Sequence, residues 1–172
     1  SNYDGTDTRL VATDNDIMKI NYPVISPNGK YLNFNAGNNR LFYFDLNTWS
    51  AFNQITGILA SGCIPSFSND SKYLAFVDGD GVSLPYTIKI VTTDSPDVLN
   101  IVYQKTLGNV KFTGSLDNNI KWSADSKSII YSLSNNNEDL VCITDITNST
   151  ERVIKIPNDE IGGNSASLAP NN

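Results

Sequence analysis

The stretch Phe67-Ser68-Asn69-Asp70-Ser71-Lys72-Tyr73-Leu74-Ala75-Phe76 decides the fold. It opens on a large apolar residue and a serine. A four-residue polar turn ending in lysine follows, and then an apolar strand. That order is the signature of a β-hairpin. It occurs twice more, as Ile25-Ser26-Pro27-Asn28-Gly29-Lys30-Tyr31-Leu32-Asn33-Phe34 and as Trp122-Ser123-Ala124-Asp125-Ser126-Lys127-Ser128-Ile129-Ile130-Tyr131. A fourth copy begins at Leu168-Ala169-Pro170-Asn171-Asn172. Pro23 and Pro65 stand two residues before the first two copies, and Ile120 takes that place before the third.

The copies start at 25, 67, 122 and 168, so their spacings are 42, 55 and 46 residues. A period of roughly 40–45 residues is that of four short strands joined by tight turns, the blade of a propeller. Each interval holds two further strand patterns. These are Arg40 to Phe44 and Ala51 to Thr56, then Tyr86 to Thr92 and Val98 to Gln104, then Asp139 to Thr144 and Glu151 to Ile156. Between them lie Asp45-Leu46-Asn47-Thr48, Asp94-Ser95-Pro96-Asp97 and Asp145-Ile146-Thr147-Asn148. Asn and Asp favour turns because their side chains hydrogen-bond nearby backbone amides. The whole composition agrees: 23 Asn and 15 Asp stand against 3 Glu, a helix former. The expected fold class is all-β, with three complete four-stranded antiparallel blades and flanking strands.

The repeated motif resembles the TolB-type, or PD40, β-propeller repeat, which is WD40-like and reads aromatic-Ser-Pro-Asp-Gly-Lys-x-apolar-Ala-Phe. Phe42-Tyr43-Phe44-Asp45 and Val141-Cys142-Ile143-Thr144-Asp145 resemble the third strand of that family. The pattern is degenerate here: only the first copy keeps Pro27 and Gly29, and none carries Pro-Asp-Gly. The resemblance implies a non-enzymatic scaffold that binds another protein, with a periplasmic or extracellular address. A second reading is the propeller portion of a larger enzyme, either the gating domain of a prolyl-oligopeptidase-type peptidase or a carboxylate glycosidase.

The phase of the repeats divides the chain. Blades are expected at about 22–57, 63–105 and 118–157, within one propeller segment spanning 1–172. Thr8 to Ala12 reads as the outer strand of a preceding blade, and 166–172 as the start of another. Propellers have 4–8 blades, so three do not close a ring. The sequence therefore points to a piece of a longer propeller or to self-association. Three sets of equivalent core positions are expected: Ile25, Phe67 and Trp122; Leu32, Leu74 and Ile129; Phe34, Phe76 and Tyr131.

Several functions are disfavoured by composition. The chain has 172 residues and a net charge of −6, a poor match to nucleic acid, whose affinity comes mainly from phosphate neutralisation. No apolar run is long enough to insert in a membrane. There is no histidine, which removes Ser-His and Cys-His nucleophile pairs and His-bearing zinc sites. Cys63 and Cys142 form no metal or redox motif and are expected free and buried, with a bridge the alternative in an oxidising compartment. No Gly-x-Ser-x-Gly or phosphate-binding loop is present, and no cofactor is expected. The chain opens on Ser1 without a leader, and reads as a processed form or a piece of a longer one.

Name the four strands of a blade a to d from the axis outward. The a–b and c–d turns then share one end, and the b–c turns and d–a links share the other. The second repeat is the longest, and its extra residues fall in the b–c segment 78–85 and in the link around Thr106 to Asn118. Insertions in repeat proteins map to loops, often on the binding face. The candidate binding loops therefore contain Asp78, Asp80, Leu84, Tyr86, Lys111 and Phe112. Asp78-Gly79-Asp80-Gly81 and Asp14-Asn15-Asp16 lack the further acids of a calcium loop and read as polar turns. Asn69-Asp70-Ser71 and Asn148-Ser149-Thr150 fit the glycosylation pattern.

Overall fold

The structure is a computed structural model. It describes residues 20–36, 40–48, 53–59, 64–79, 85–94, 100–108, 111–112, 120–134 and 138–157. Every regular element among them is a β-strand, and no helix is long and apolar enough to cross a membrane. The strand pattern at 8–12 and the motif start at 166–172 lie outside the described residues.

Among the described residues, thirteen strands form three antiparallel sheets in chain order. Sheet 1 runs β1 (Ile20–Ile25), β2 (Tyr31–Ala36), β3 (Arg40–Asp45) and β4 (Asn53–Leu59). Sheet 2 runs β5 (Ser66–Phe67), β6 (Tyr73–Asp78), β7 (Thr87–Thr92) and β8 (Ile101–Thr106). A two-residue strand, β9 (Lys111–Phe112), comes next. Sheet 3 runs β10 (Lys121–Trp122), β11 (Ser128–Ser134), β12 (Glu138–Asp145) and β13 (Thr150–Pro157). Each is a meander whose first hairpin is one copy of the motif.

Side chains two apart share a face of a strand, and this sorts the core. Tyr31, Leu41 and Tyr43 of sheet 1 pack with Phe67, Leu74, Phe76 and Val91 of sheet 2. On the other side of sheet 2, Ala75, Val77, Ile88 and Ile90 pack with Trp122, Ile129, Tyr131 and Leu133 of sheet 3. Leu32 joins Phe34 and Phe42, whose rings stack at 5.5 Å, on the opposite face of sheet 1. Leu32/Phe34, Leu74/Phe76 and Ile129/Tyr131 are thus equivalent, and each pair turns toward the side of the preceding blade.

One expected equivalence fails. Phe67 and Trp122 are buried, but Ile25 is 61% exposed. The reason lies in the stacking. Phe67 is covered by sheet 1, and Trp122 by sheet 2, where its ring stacks on Tyr73 at 6.0 Å and its indole N–H donates to the Ser66 carbonyl at 3.0 Å. No described sheet precedes sheet 1; Phe34 and Phe42 on the same face are nonetheless buried, so the missing cover is local to Ile25.

The a–b turns carry the blade-to-blade polar contacts. In each turn the first serine hydroxyl donates to the Asx side chain two residues on, at 2.7 Å: Ser26 to Asn28, Ser68 to Asp70, Ser123 to Asp125. The residue after the Asx is left-handed: Gly29 at φ 69°, Ser71 at 62° and Ser126 at 60°. Serine is strained there and glycine is not. The two serines have a task that glycine lacks. Asn28 N–H donates to Ser71 Oγ at 3.0 Å, and Asp70 N–H to Ser126 Oγ at 3.1 Å, so each turn is tied to the next. The c–d turns join the same end, through Leu46 N–H to the Lys30 carbonyl and Ile146 N–H to the Lys127 carbonyl.

Candidate functional site

The opposite, b–c end is where the sheets depart from the four-strand plan. In sheet 2, β6 and β7 pair without a register shift up to Asp78 opposite Thr87. Asp78 forms an ion pair with Lys89, both about one-fifth exposed. Gly79 follows because no larger residue fits: a Cβ there would lie 2.4 Å from Cδ1 of Tyr86. Tyr86 is half-buried against the core, and its carbonyl accepts from Leu107 N–H at 2.8 Å. Lys111 and Phe112, expected in a loop, form β9 instead. Ser134 pairs with Lys111 and Leu133 with Phe112, so β9 continues the edge of β11 that β10 occupies lower down. The topology thus brings Asp78, Tyr86, Lys111 and Phe112 to the same end of neighbouring sheets. Asp80 and Leu84 lie outside the described residues.

A second polar group lies in the seam between sheets 2 and 3, and sequence reasoning missed it. Glu151 Oε1 accepts from Lys105, from the Tyr131 hydroxyl at 2.6 Å and from Thr144 Oγ1 at 3.3 Å. Lys105 also donates to the Tyr131 hydroxyl at 3.3 Å. Burial pushes the Glu151 carboxyl up, but the Lys105 and Tyr131 hydrogen bonds outweigh it and hold the group below its ordinary value. Burial, and then the bond to Glu151, push the Tyr131 hydroxyl up. Burial, reinforced by the Glu151 charge, raises the Cys142 thiol to about 11. A thiol that stays protonated at neutral pH is not a nucleophile. The group joins Lys105 of sheet 2 to Tyr131, Thr144 and Glu151 of sheet 3. One signal was available in the sequence: Tyr131 stands where the other copies have Phe34 and Phe76, and a buried phenol needs a partner for its hydroxyl.

Among the described residues no three His, Cys, Asp or Glu side chains converge as a metal site. Cys142 is free and buried; Cys63 lies outside the described residues.

No family model matches the sequence, and no curated protein does. Solved structures do. TolB from Acinetobacter baumannii superposes with a TM-score of 0.56 and 20% identity, over 87% of this chain and 35% of that one. The WD40 repeats of RRP9 give a TM-score of 0.58 and 13% identity, over 88% and 42%. The fold is a β-propeller's. A putative TolB from Agrobacterium tumefaciens adds a TM-score of 0.54 and 21% identity, over 84% and 48%. At these identities the likeness is one of fold. The chain spans less than half the length of each of these structures.

Proposed function

We propose that the chain is one propeller segment that serves as a non-enzymatic scaffold and docks another protein on its b–c end. The observation that carries this reading is where the extra structure sits. Four-strand meanders account for all the sheets except β9, and β9 lies at the b–c end of sheet 3, beside the Asp78–Tyr86 end of sheet 2. The opposite end is a repeated set of turns consumed in blade-to-blade hydrogen bonds. A repeat scaffold keeps its regular parts for stacking and varies the loops of its binding face. An extracytoplasmic address follows the TolB side of the resemblance.

The test is site-directed photo-crosslinking. A photoreactive residue at Phe112 should capture a discrete partner that unlabelled chain competes away. The same residue at Asn47, in a c–d turn at the other end, should not. Equal capture from both ends, or from Asn47 alone, would overturn the reading.

A further inference from the structure

The outer strand of sheet 3 is built unlike the other two. All eight residue pairs between β12 and β13 are in register, from Glu138 opposite Pro157 to Asp145 opposite Thr150. The pairings that hold β4 and β8, by contrast, each contain a register shift. Such irregularities twist an edge away from further pairing. β13 lacks that protection, and residues Thr150 to Lys155 are all exposed along it. Val153 is 44% exposed and Ile154 41%, one on each face of the strand.

We propose that β13 pairs edge to edge with β13 of a second copy of this chain, antiparallel about a two-fold axis centred on Val153. The sequence of the strand selects that register. In such a pair each residue faces one on the same side of the sheet, so the central residue fixes all the others. Centring on Arg152 or on Lys155 opposes like charges. Centring on Ile154 sets Val153 against Lys155. Centring on Val153 joins the two valines and sets Glu151 of each copy opposite Lys155 of the other, twice by symmetry. Arg152 then lies opposite Ile154, and Thr150 opposite Ile156. Lys105, Tyr131 and Thr144 all meet Oε1 of Glu151, so a second copy's lysine would be taken by the other carboxylate oxygen. Lys155 reaches Glu138 at 3.1 Å across its own sheet and is 69% exposed, so it can turn toward a carboxylate on the other side. The interface lies on the rim of the propeller arc and is independent of the b–c end.

Sedimentation equilibrium of the 172-residue chain over a wide concentration range tests this. A reversible monomer–dimer equilibrium is expected. Lys155→Glu should weaken it about tenfold or more, because two cross-strand pairs change from attraction to like-charge opposition. Ile25→Lys, at an exposed position of sheet 1 remote from β13, should leave it unchanged. A thermal melt of each variant checks that it folds. Directly opposed strand residues have Cα atoms about 4.5–5.5 Å apart, within the range a disulfide spans. In a Cys142→Ala background, which removes the native cysteine directly opposite Val153 on β12, Val153→Cys should therefore oxidise to a covalent dimer, and Ile25→Cys should not. A monomer at every concentration, a dimer indifferent to Lys155→Glu, or no faster trapping of Val153→Cys than of Ile25→Cys would each overturn the proposal.

Discussion

Replacing Tyr131 by Phe removes one hydroxyl from the seam between sheets 2 and 3 and keeps the ring. The ring is 2% exposed, so water does not replace the lost group on that side. The hydroxyl donates to the Glu151 carboxylate at 2.6 Å. A hydrogen bond to a charged group contributes about 1.5–3 kcal/mol. Glu151 keeps Lys105 and Thr144, and its side chain is 26% exposed, so solvent makes up part of the loss. The expected cost is therefore about 1–2 kcal/mol at neutral pH. The sign of the pH dependence follows from Glu151, whose carboxyl is held below the ordinary 4.5 in the folded chain. A depressed carboxyl stabilises the fold above its unfolded value, and that contribution is lost as pH falls through the folded one. The gap between wild type and Tyr131→Phe should thus be full near neutral pH and shrink as pH falls below the ordinary glutamate range. Urea denaturation followed by tryptophan fluorescence in both pH ranges measures it. A neutral-pH gap under about 0.5 kcal/mol, or one that widens on acidification, would refute the seam's role.

Other outcomes follow from burial and turn geometry. Phe76→Ala should cost about 3–5 kcal/mol, since Phe76 is fully buried between sheets 1 and 2, whereas Ile25→Ala should change stability by no more than about 0.5 kcal/mol; chemical denaturation of both gives the contrast. Ser126→Ala should destabilise by about 1 kcal/mol or more, because it keeps the left-handed strain and loses the acceptor for Asp70 N–H, and Ser126→Gly should cost less because it relieves that strain. Cys142 should resist alkylation in the folded chain at mildly alkaline pH and react on unfolding, as mass mapping of the modified peptide would show, given a thiol raised to about 11.

The hairpins were legible in the sequence because each is local. Serine, Asx and lysine at fixed offsets specify the turn, and the following strand is read directly. Strand class followed from the same repeat, although β4 and β8 run on past the expected ends at Thr56 and Gln104, to Leu59 and Thr106. What escaped were contacts between blades. Ile25 carries the same apolar signature as Phe67 and Trp122, and no local feature records whether a neighbouring sheet covers it. Lys105, Tyr131 and Glu151 come from two sheets and meet only once these stack. β9 adds to β11 from a segment with no strand alternation, because two residues are too few to show any. The left-handed serines looked like ordinary turn residues until their hydroxyls were seen to bridge consecutive turns.

The central claim is that three meanders stack in chain order as consecutive blades. Its most direct test is the nuclear Overhauser spectrum of the Trp122 indole. With two tryptophans in the chain, the Trp122 Nε1–H signal can be assigned by substituting one of them. Stacking of sheet 3 on sheet 2 requires cross-peaks from this indole to the Tyr73 ring, 6.0 Å away centre to centre, and to the protons around the Ser66 carbonyl it bonds at 3.0 Å. Cross-peaks from Trp122 to β10–β13 residues alone, with none to sheet 2, would contradict the blade order.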